Sequence, residues 1–480
     1  MRWLAAGLAL GVAVALVAAD GPAVAPAMAS TSLGRAVLLT PGASGVGDPY
    51  YPQAGNGGYD VESYRLRLRY DPSSDQLTGD ELITATATQN LSRFNLDLGS
   101  LRIDSLSVNG RTAEWSRTGG VELAVTVPRG VGVLEGTRFT VELRYAGAPD
   151  AMGEGFGRTP SGAIAVGEPQ GATTWYAVND HPLDKATYQF EITVPDGYTA
   201  IANGVPQGTT SAAGQTTWRW SEAYPMASYL ATVAIGRYRV FTGEDKGRPF
   251  YAAVASSVPA SYADDAIRRT PEIIDFLSTQ FGPYPFDAIG GIVPDADQIS
   301  FALETQTRPV YAPNFFRNGS ADDKTTVIAH ELAHQWFGDS VSVHYWRDIW
   351  LNEGFATYAQ WLWDEHLGRR TAQQAFDNTY AASVDNPLWK PPPGDPGEKA
   401  LFGASVYRRG AMTLQALRVT VGDEAFFAIL RAWASEHRYG NATTADFVAL
   451  AERVSGRNLR SLFQAWLFQS GKPPAPKPAR

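Results

Sequence analysis

His330-Glu331-Leu332-Ala333-His334 fits H-E-x-x-H, and after eighteen intervening residues Glu353 stands in Trp350-Leu351-Asn352-Glu353-Gly354-Phe355-Ala356. The first motif lies in Thr325 to Phe337, a run that follows Asp322-Asp323 and stops at Gly338, which predicts a helix. Histidines four apart lie one turn apart on one helix face, so their imidazoles can converge on a single cation. The glutamate beside the first histidine can reach a water on that cation. Imidazole plus carboxylate with an open position suits one Zn²⁺ ion. Glu353 is the third ligand: the chain between leaves one helix at Gly338-Asp339 and enters a second near Asp348, long enough to bring an antiparallel helix back beside the first. Flanking Trp350, Leu351 and Phe355 argue against a solvated glutamate there.

Around this stretch the composition is that of a globular protein. The chain has 480 residues, enough for two to four domains. Hydrophobic residues make up 44% and charged residues 19%, which excludes wholesale disorder. The net charge of −9 argues against binding to a nucleic-acid backbone. Cysteine is absent, which excludes disulfides, thiolate ligands, iron–sulfur clusters and a cysteine nucleophile. Only six histidines exist, so any imidazole-dependent site draws on a short supply.

The chain reads as five segments. Residues 1–29 form an export signal, with Arg2 as the positive start, an apolar run from Trp3 to Ala19, and Ala27-Met28-Ala29 as the cleavage site. Val17-Ala18-Ala19 is a second candidate site, and an uncleaved run would serve as a surface anchor. The expectation is a secreted monomer with no stable membrane span after cleavage. Residues 30–46 are a Gly/Pro/Ser-rich leader. Residues 47–255 read as an all-β sandwich: Tyr64 to Tyr70, Val121 to Val127 and Phe139 to Leu143 alternate at period two, and Asn109-Gly110 marks a hairpin. Residues 256–471 read as mainly helical, with a helix over Ala263 to Phe281, a strand over Ile289 to Val293, and helices from Asp322 to about Gln469. Residues 472–480 are a Pro-rich tail, expected to fray.

The spacing His330-Glu331-x-x-His334, eighteen residues, Glu353 resembles the aminopeptidase N family of zinc metallopeptidases, within the gluzincins. Trp336-Phe337-Gly338-Asp339 and Trp350-Leu351-Asn352-Glu353-Gly354 strengthen the resemblance, which runs from about Gly47 to Pro473. It implies a saddle-like N-terminal β domain and a thermolysin-like catalytic domain. Many members carry a further large helical domain after these two. The residues here suffice only for a short two-domain member with a more open site.

The resemblance also implies further site residues. Phe301-Ala302-Leu303-Glu304-Thr305 matches the family's G-A-M-E-N segment at Ala302 and Glu304 only. It implies that both are substrate-binding and that Glu304 holds the substrate's free α-amine. Phe301 in place of glycine and Thr305 in place of asparagine bear on specificity. Asp180-His181-Pro182-Leu183-Asp184-Lys185-Ala186 resembles the family's D-x-P-x-x-K-A stretch, and counting back from it places a second amine-binding group at Glu168, with Gln170 close enough to compete. Tyr407, in Val406-Tyr407-Arg408-Arg409-Gly410, resembles the family's oxyanion-stabilising tyrosine. His181, His344, His366 and His437 read as structural or surface groups, and Trp350, Trp361 and Trp363 as core. Asp348 and Asn352 are candidate partners for the ligands' second ring nitrogens. The implied reaction removes N-terminal residues from peptides, with Glu331 as general base and Tyr407 on the oxyanion. A thermolysin-like endopeptidase needs the same metal set but no amine anchor. A zinc-stabilised binding module needs neither Glu331 nor Tyr407.

Overall fold

In the computed structural model, which describes residues 37–149 and 154–477, period-two alternation becomes a wide sheet. Its eight strands run in the order Val205–Ala212, Gln215–Met226, Ala186–Pro195, Tyr59–Asp71, Gln76–Ala87, Arg138–Gly147, Arg102–Val108 and Arg111–Thr112. Along Tyr59–Asp71 the side chains Tyr64, Leu66, Leu68 and Tyr70 are buried while Arg67 and Arg69 face water, so one face of the sheet makes core. Asn109 and Gly110 both take positive φ (48° and 72°), as a tight two-residue hairpin requires. Two four-stranded sheets complete the β region. One orders Thr40–Pro41, Leu91–Asp97, Glu122–Thr126 and Trp115–Gly119; the other orders Gly155–Thr159, Gly162–Val166, Val233–Gly236 and Thr199–Ala202.

A further sheet orders Tyr238–Asp245, Arg248–Ala255, Ile289–Val293, Val310–Tyr311 and, at its edge, Ala302–Leu303. It joins strands on both sides of the expected domain boundary at 255/256, so the second region begins structurally near Tyr238. Alternation reveals that a stretch is a strand, but not which sheet it joins.

The helices follow: α1 (Ala260–Ile267), α2 (Thr270–Phe281), α3 (Ala321–His334), α4 (Trp350–His366), α5 (Ala372–Tyr380), α6 (Gly410–Val421), α7 (Asp423–Glu436) and α8 (Thr444–Ser455). The single helix expected over 263–281 is two. Pro271 at the start of α2 has no N–H to continue α1, and its ring would clash with the Ile267 carbonyl. The Thr270 hydroxyl takes that carbonyl instead (2.8 Å). α3 starts four residues earlier than expected, because Ser320 and Asp323 form a reciprocal capping box. It ends earlier too, at His334. The expected helical continuity to 469 breaks between α5 and α6, where Pro387, Pro391, Pro392, Pro393 and Pro396 deny helix donors. Buried Arg409 ties this stretch down, donating to the carbonyls of Trp389, Trp466 and Ala465.

The expected signal, residues 1–29, lies outside the described residues, as does the end of the tail, 478–480. The tail's start is held: Tyr380 donates to the Pro473 carbonyl at 2.7 Å and Lys472 to that of Ala382 at 3.1 Å. Among the described residues no helix is long and apolar enough to cross a membrane.

Candidate active site

α3 and α4 carry the metal ligands, and the aromatic core sets their spacing. On α4, Trp350, Phe355 and Trp363 are buried, each contributing roughly 1.5–3 kcal/mol by leaving water. Trp363 Nε1 donates to Thr325 Oγ1 on α3 (2.8 Å) and Trp350 Nε1 to Thr444 Oγ1 on α8 (2.8 Å). α4 also crosses the start of α6 at two glycines. A Cβ on Gly354 would meet Gly410 backbone at 3.0 Å, so a side chain at either position would push the helices apart. Both glycines belong to motifs quoted above, and their contact brings Tyr407 to Glu353.

The three ligands meet in a buried cluster. Glu353 Oε2 lies 3.1 Å from His330 Nε2 and 3.5 Å from His334 Nε2. One atom from each of the three can face a single ion. Two imidazole nitrogens and a carboxylate, open toward a cavity, fit Zn²⁺ with a fourth position for water or substrate. Burial acts to raise the Glu353 carboxyl, but the His330 and His334 rings prevail and hold it at about 2. It is therefore anionic and ready to ligate. Burial lowers His330, which favours the neutral imidazole that a metal needs. Glu304, Glu331 and His334 form a second close set, but His334 has no nitrogen to spare. Its Nε2 faces Glu353, and its Nδ1 donates to the Phe337 carbonyl at 3.1 Å.

That carbonyl is the outer partner of His334, and neither expected residue takes the role. Asp348 is engaged by Thr444, whose backbone N–H (3.3 Å) and hydroxyl (2.5 Å) both donate to it. Asn352 donates to the Tyr229 hydroxyl at 3.4 Å. Side-chain carboxylates look like the obvious partners in a sequence, whereas a turn carbonyl leaves no trace there.

A cavity of about 450 Å³ opens beside the ligands. Its lining includes Glu304, Glu168, Ala302, Glu331, Glu154 and Tyr407. Gln170 instead precedes a short helical turn, Gly171–Thr174, outside that lining. Tyr407 donates to Glu353 Oε1 at 2.9 Å. Burial, then the Glu353 charge, raise its phenol well above the ordinary range, so it keeps its proton. Burial raises Glu331 well above the ordinary carboxyl range, opposed by His334. Glu304 is buried; its Oε1 lies 4.0 Å from His334 Nδ1 and has no hydrogen-bond partner among the described residues. Burial raises Glu168 too, and the neighbouring Glu304 charge adds to it.

Two further groups, which the sequence reading did not single out, hold this geometry. Gln335, next to His334, donates to the Glu304 carbonyl (3.0 Å) and accepts from Thr307 N (2.7 Å), which locks the edge strand to the ligand helix. Lys185 from the β region is half-buried, and its ammonium donates to the carbonyls of Asp339, Ser340 and Gly440 at 2.8–3.1 Å. Burial lowers it to about 7. It clamps the turn that supplies the Phe337 carbonyl. Its place in the Asp180–Ala186 stretch was the available signal. His181 has a structural partner: its Nε2 lies 3.2 Å from Asp48 Oδ2, which also accepts from Trp346 N.

A His₂Glu centre on two helices, with an acid beside the first histidine and an edge strand alongside, defines a zinc metallopeptidase. The peptidase family M1 domain model matches residues 266–466, and the peptidase M1 N-terminal domain model matches residues 60–230. The chain belongs to the M1 family of zinc metallopeptidases. It is similar to the M1 zinc metallopeptidase from Deinococcus radiodurans, at 30% identity and a TM-score of 0.81, over 91% of this chain and 100% of that one. A mutant of the Deinococcus protein is solved with a Tyr-Ser-Ala substrate. Aminopeptidase M1-C of Oryza sativa subsp. japonica is 27% identical over 85% of this chain and 49% of its own length. Aminopeptidase N of Streptomyces lividans is 30% identical over 62% of this chain and 36% of its own. The chain spans about half the length, or less, of these curated relatives.

Metal analysis of the purified protein is expected to give one zinc per chain. Glu353→Gln should weaken zinc binding by more than the ~10–100-fold that loss of an outer partner costs. Full zinc occupancy in that variant under a competing chelator would contradict the ligand assignment.

Proposed function

We propose that this protein is a zinc aminopeptidase that removes the N-terminal residue from peptides. The observation that carries the reading is the unpartnered, buried carboxylate oxygen of Glu304 beside the ligand set. With Glu168 in the same cavity, it offers two carboxylates where the only cation a peptide must bring is its α-ammonium. A buried carboxylate oxygen left without a hydrogen bond is costly, and an ammonium supplies both charge and hydrogen bonds. Held there, the amine sets the first peptide bond against the metal position and counts one residue from the N-terminus. An endopeptidase would gain nothing from these acids. The Tyr-Ser-Ala substrate bound to a mutant of the related Deinococcus protein supports a peptide as substrate here.

His330, His334 and Glu353 would hold the zinc, which supplies a Lewis acid that polarises the scissile carbonyl and acidifies water. Glu331 accepts the proton of the attacking water and returns it to the departing amine. Its raised proton affinity suits both halves of that transfer. Tyr407, which keeps its phenolic proton, donates to the carbonyl oxygen as negative charge develops there. Ala302 on the sheet edge offers backbone to the extended substrate. We further propose that the protein is exported and acts as a monomer, supported by the apolar run before Ala27-Met28-Ala29 and by a site built within one chain. Material from the culture medium should begin at Ser30 and scatter light as one chain; cell-retained protein beginning at Met1 would contradict export.

Glu331→Gln should keep its zinc and lose about 10²–10⁴-fold in kcat. Glu304→Ala should raise KM for free-amine substrates by about 10–100-fold, the worth of charge-assisted hydrogen bonds. Steady-state kinetics with metal analysis check both. Near-normal kcat in Glu331→Gln sinks the general base, and an unmoved KM in Glu304→Ala sinks the amine anchor.

A further inference from the structure

We propose that Phe301, Phe315 and Val327 form the subsite for the second residue of the substrate, and that the enzyme favours peptides whose second side chain is large and apolar. This rests on the aminopeptidase reading, because the amine anchor at Glu304 is the origin from which the peptide is measured.

Large apolar side chains in water mark binding surfaces when they cluster. Among the described residues four phenylalanines are exposed: Phe301, Phe315, Phe402 and Phe468. Three of them line the catalytic cavity, and only Phe468 does not. Phe301 and Phe315 belong together. The Phe301 carbonyl accepts from Ala312 N at 3.2 Å, and Phe315 N donates to the Ala312 carbonyl at 3.3 Å. Val327 sits on α3 one turn before Glu331 and lines the same cavity. All three side chains thus line the cavity together with the general base, Glu331. Phe402 comes from the segment leading to Tyr407 and is not part of this subsite.

The edge strand settles which substrate residue meets them. Ala302–Leu303 is the outermost strand of its sheet, and an extended peptide can lie along such an edge. From Glu304 the peptide can leave in one direction only. Thr305, Gln306, Thr307 and Arg308 are fully buried, whereas Ser300 and Phe301 reach solvent. The peptide thus runs from its amine at Glu304 toward Phe301, antiparallel to the strand. Each residue advances ~3.3 Å. The residue after the scissile bond is the first to come level with Ala302 and Phe301, beside Val327. Glycine, which the family motif carries at the position of Phe301, would offer no wall there. The apolar wall is a feature of this chain's own residues.

The test compares kcat/KM of the zinc-loaded protein on Leu-Gly, Leu-Asp, Leu-Leu and Leu-Phe amides, for the unmutated chain, Phe301→Gly, Phe315→Ala and Phe301→Leu. The unmutated protein should favour Leu-Phe over Leu-Gly by about tenfold or more, mainly through KM. Phe301→Gly and Phe315→Ala should each cut that ratio several-fold, while Phe301→Leu largely keeps it. Circular dichroism and melting should confirm folded variants, since both side chains are exposed. No preference in the unmutated protein, or a ratio unmoved by both truncations, overturns the proposal. Cleavage of N-acetylated peptides without turnover of any free-amine substrate overturns the aminopeptidase reading itself, and this inference with it.

Discussion

The meeting of one carboxylate with two imidazoles, Glu353 with His330 and His334, is the constraint on which the rest of the arrangement depends. Three ionisable groups are taken out of water at contact distances of 3.1 and 3.5 Å. The mutual attraction must offset a desolvation cost of several kcal/mol per ion, and a divalent cation in their midst completes that compensation. The helices can hold the groups so close because their packing is fixed elsewhere. Gly354 and Gly410 let α4 and α6 touch backbone to backbone, and buried tryptophans tie α4 to α3 and α8. Lys185 and Gln335 fix the two ends of the site, the turn after α3 and the edge strand beside it.

The cavity's charge follows from the same logic. Glu154, Glu168, Glu304, Glu331 and Glu353 line it, against two imidazoles. Three of these carboxylates, Glu304, Glu331 and Glu353, are buried, and such a concentration of acid calls for cations. One divalent ion and one α-ammonium are the cations that a zinc aminopeptidase brings together at the moment of reaction. The raised proton affinity of Glu331 and Glu168, and the depressed one of Glu353, divide these acids by role. The ligand stays ionised, while the others respond to what binds.

How far the sequence reveals this depends on how local each signal is. The ligand set is legible because H-E-x-x-H encodes its geometry within a single helical turn, and Glu353 stands in an aromatic helix that must be buried. The β region is legible because one-sided burial forces period-two alternation. What escapes is non-local. The strands Tyr238–Asp245 and Arg248–Ala255 follow directly on the β region in sequence, yet they pair with each other and the second pairs with Ile289–Val293. The break between α1 and α2 was written in Pro271, but an apolar period of 3.6 runs across it. The outer partner of His334 is a backbone carbonyl, whereas Asp348, the better-looking candidate, is taken by Thr444 from a helix some ninety residues away. The cavity places Glu168 within reach and leaves out Gln170, a distinction of two residues that counting along the chain left open.

We propose that this site measures from a free amine. The most direct test is the rate of the zinc-loaded protein on two peptides of identical sequence, one with a free N-terminus and one N-acetylated. A site that measures from the amine gives stepwise release of residues from the free peptide, and no more than about a thousandth of that rate on the acetylated one, a difference of ~4 kcal/mol in transition-state binding. Equal rates on the two peptides, or internal cleavage of both, would contradict it.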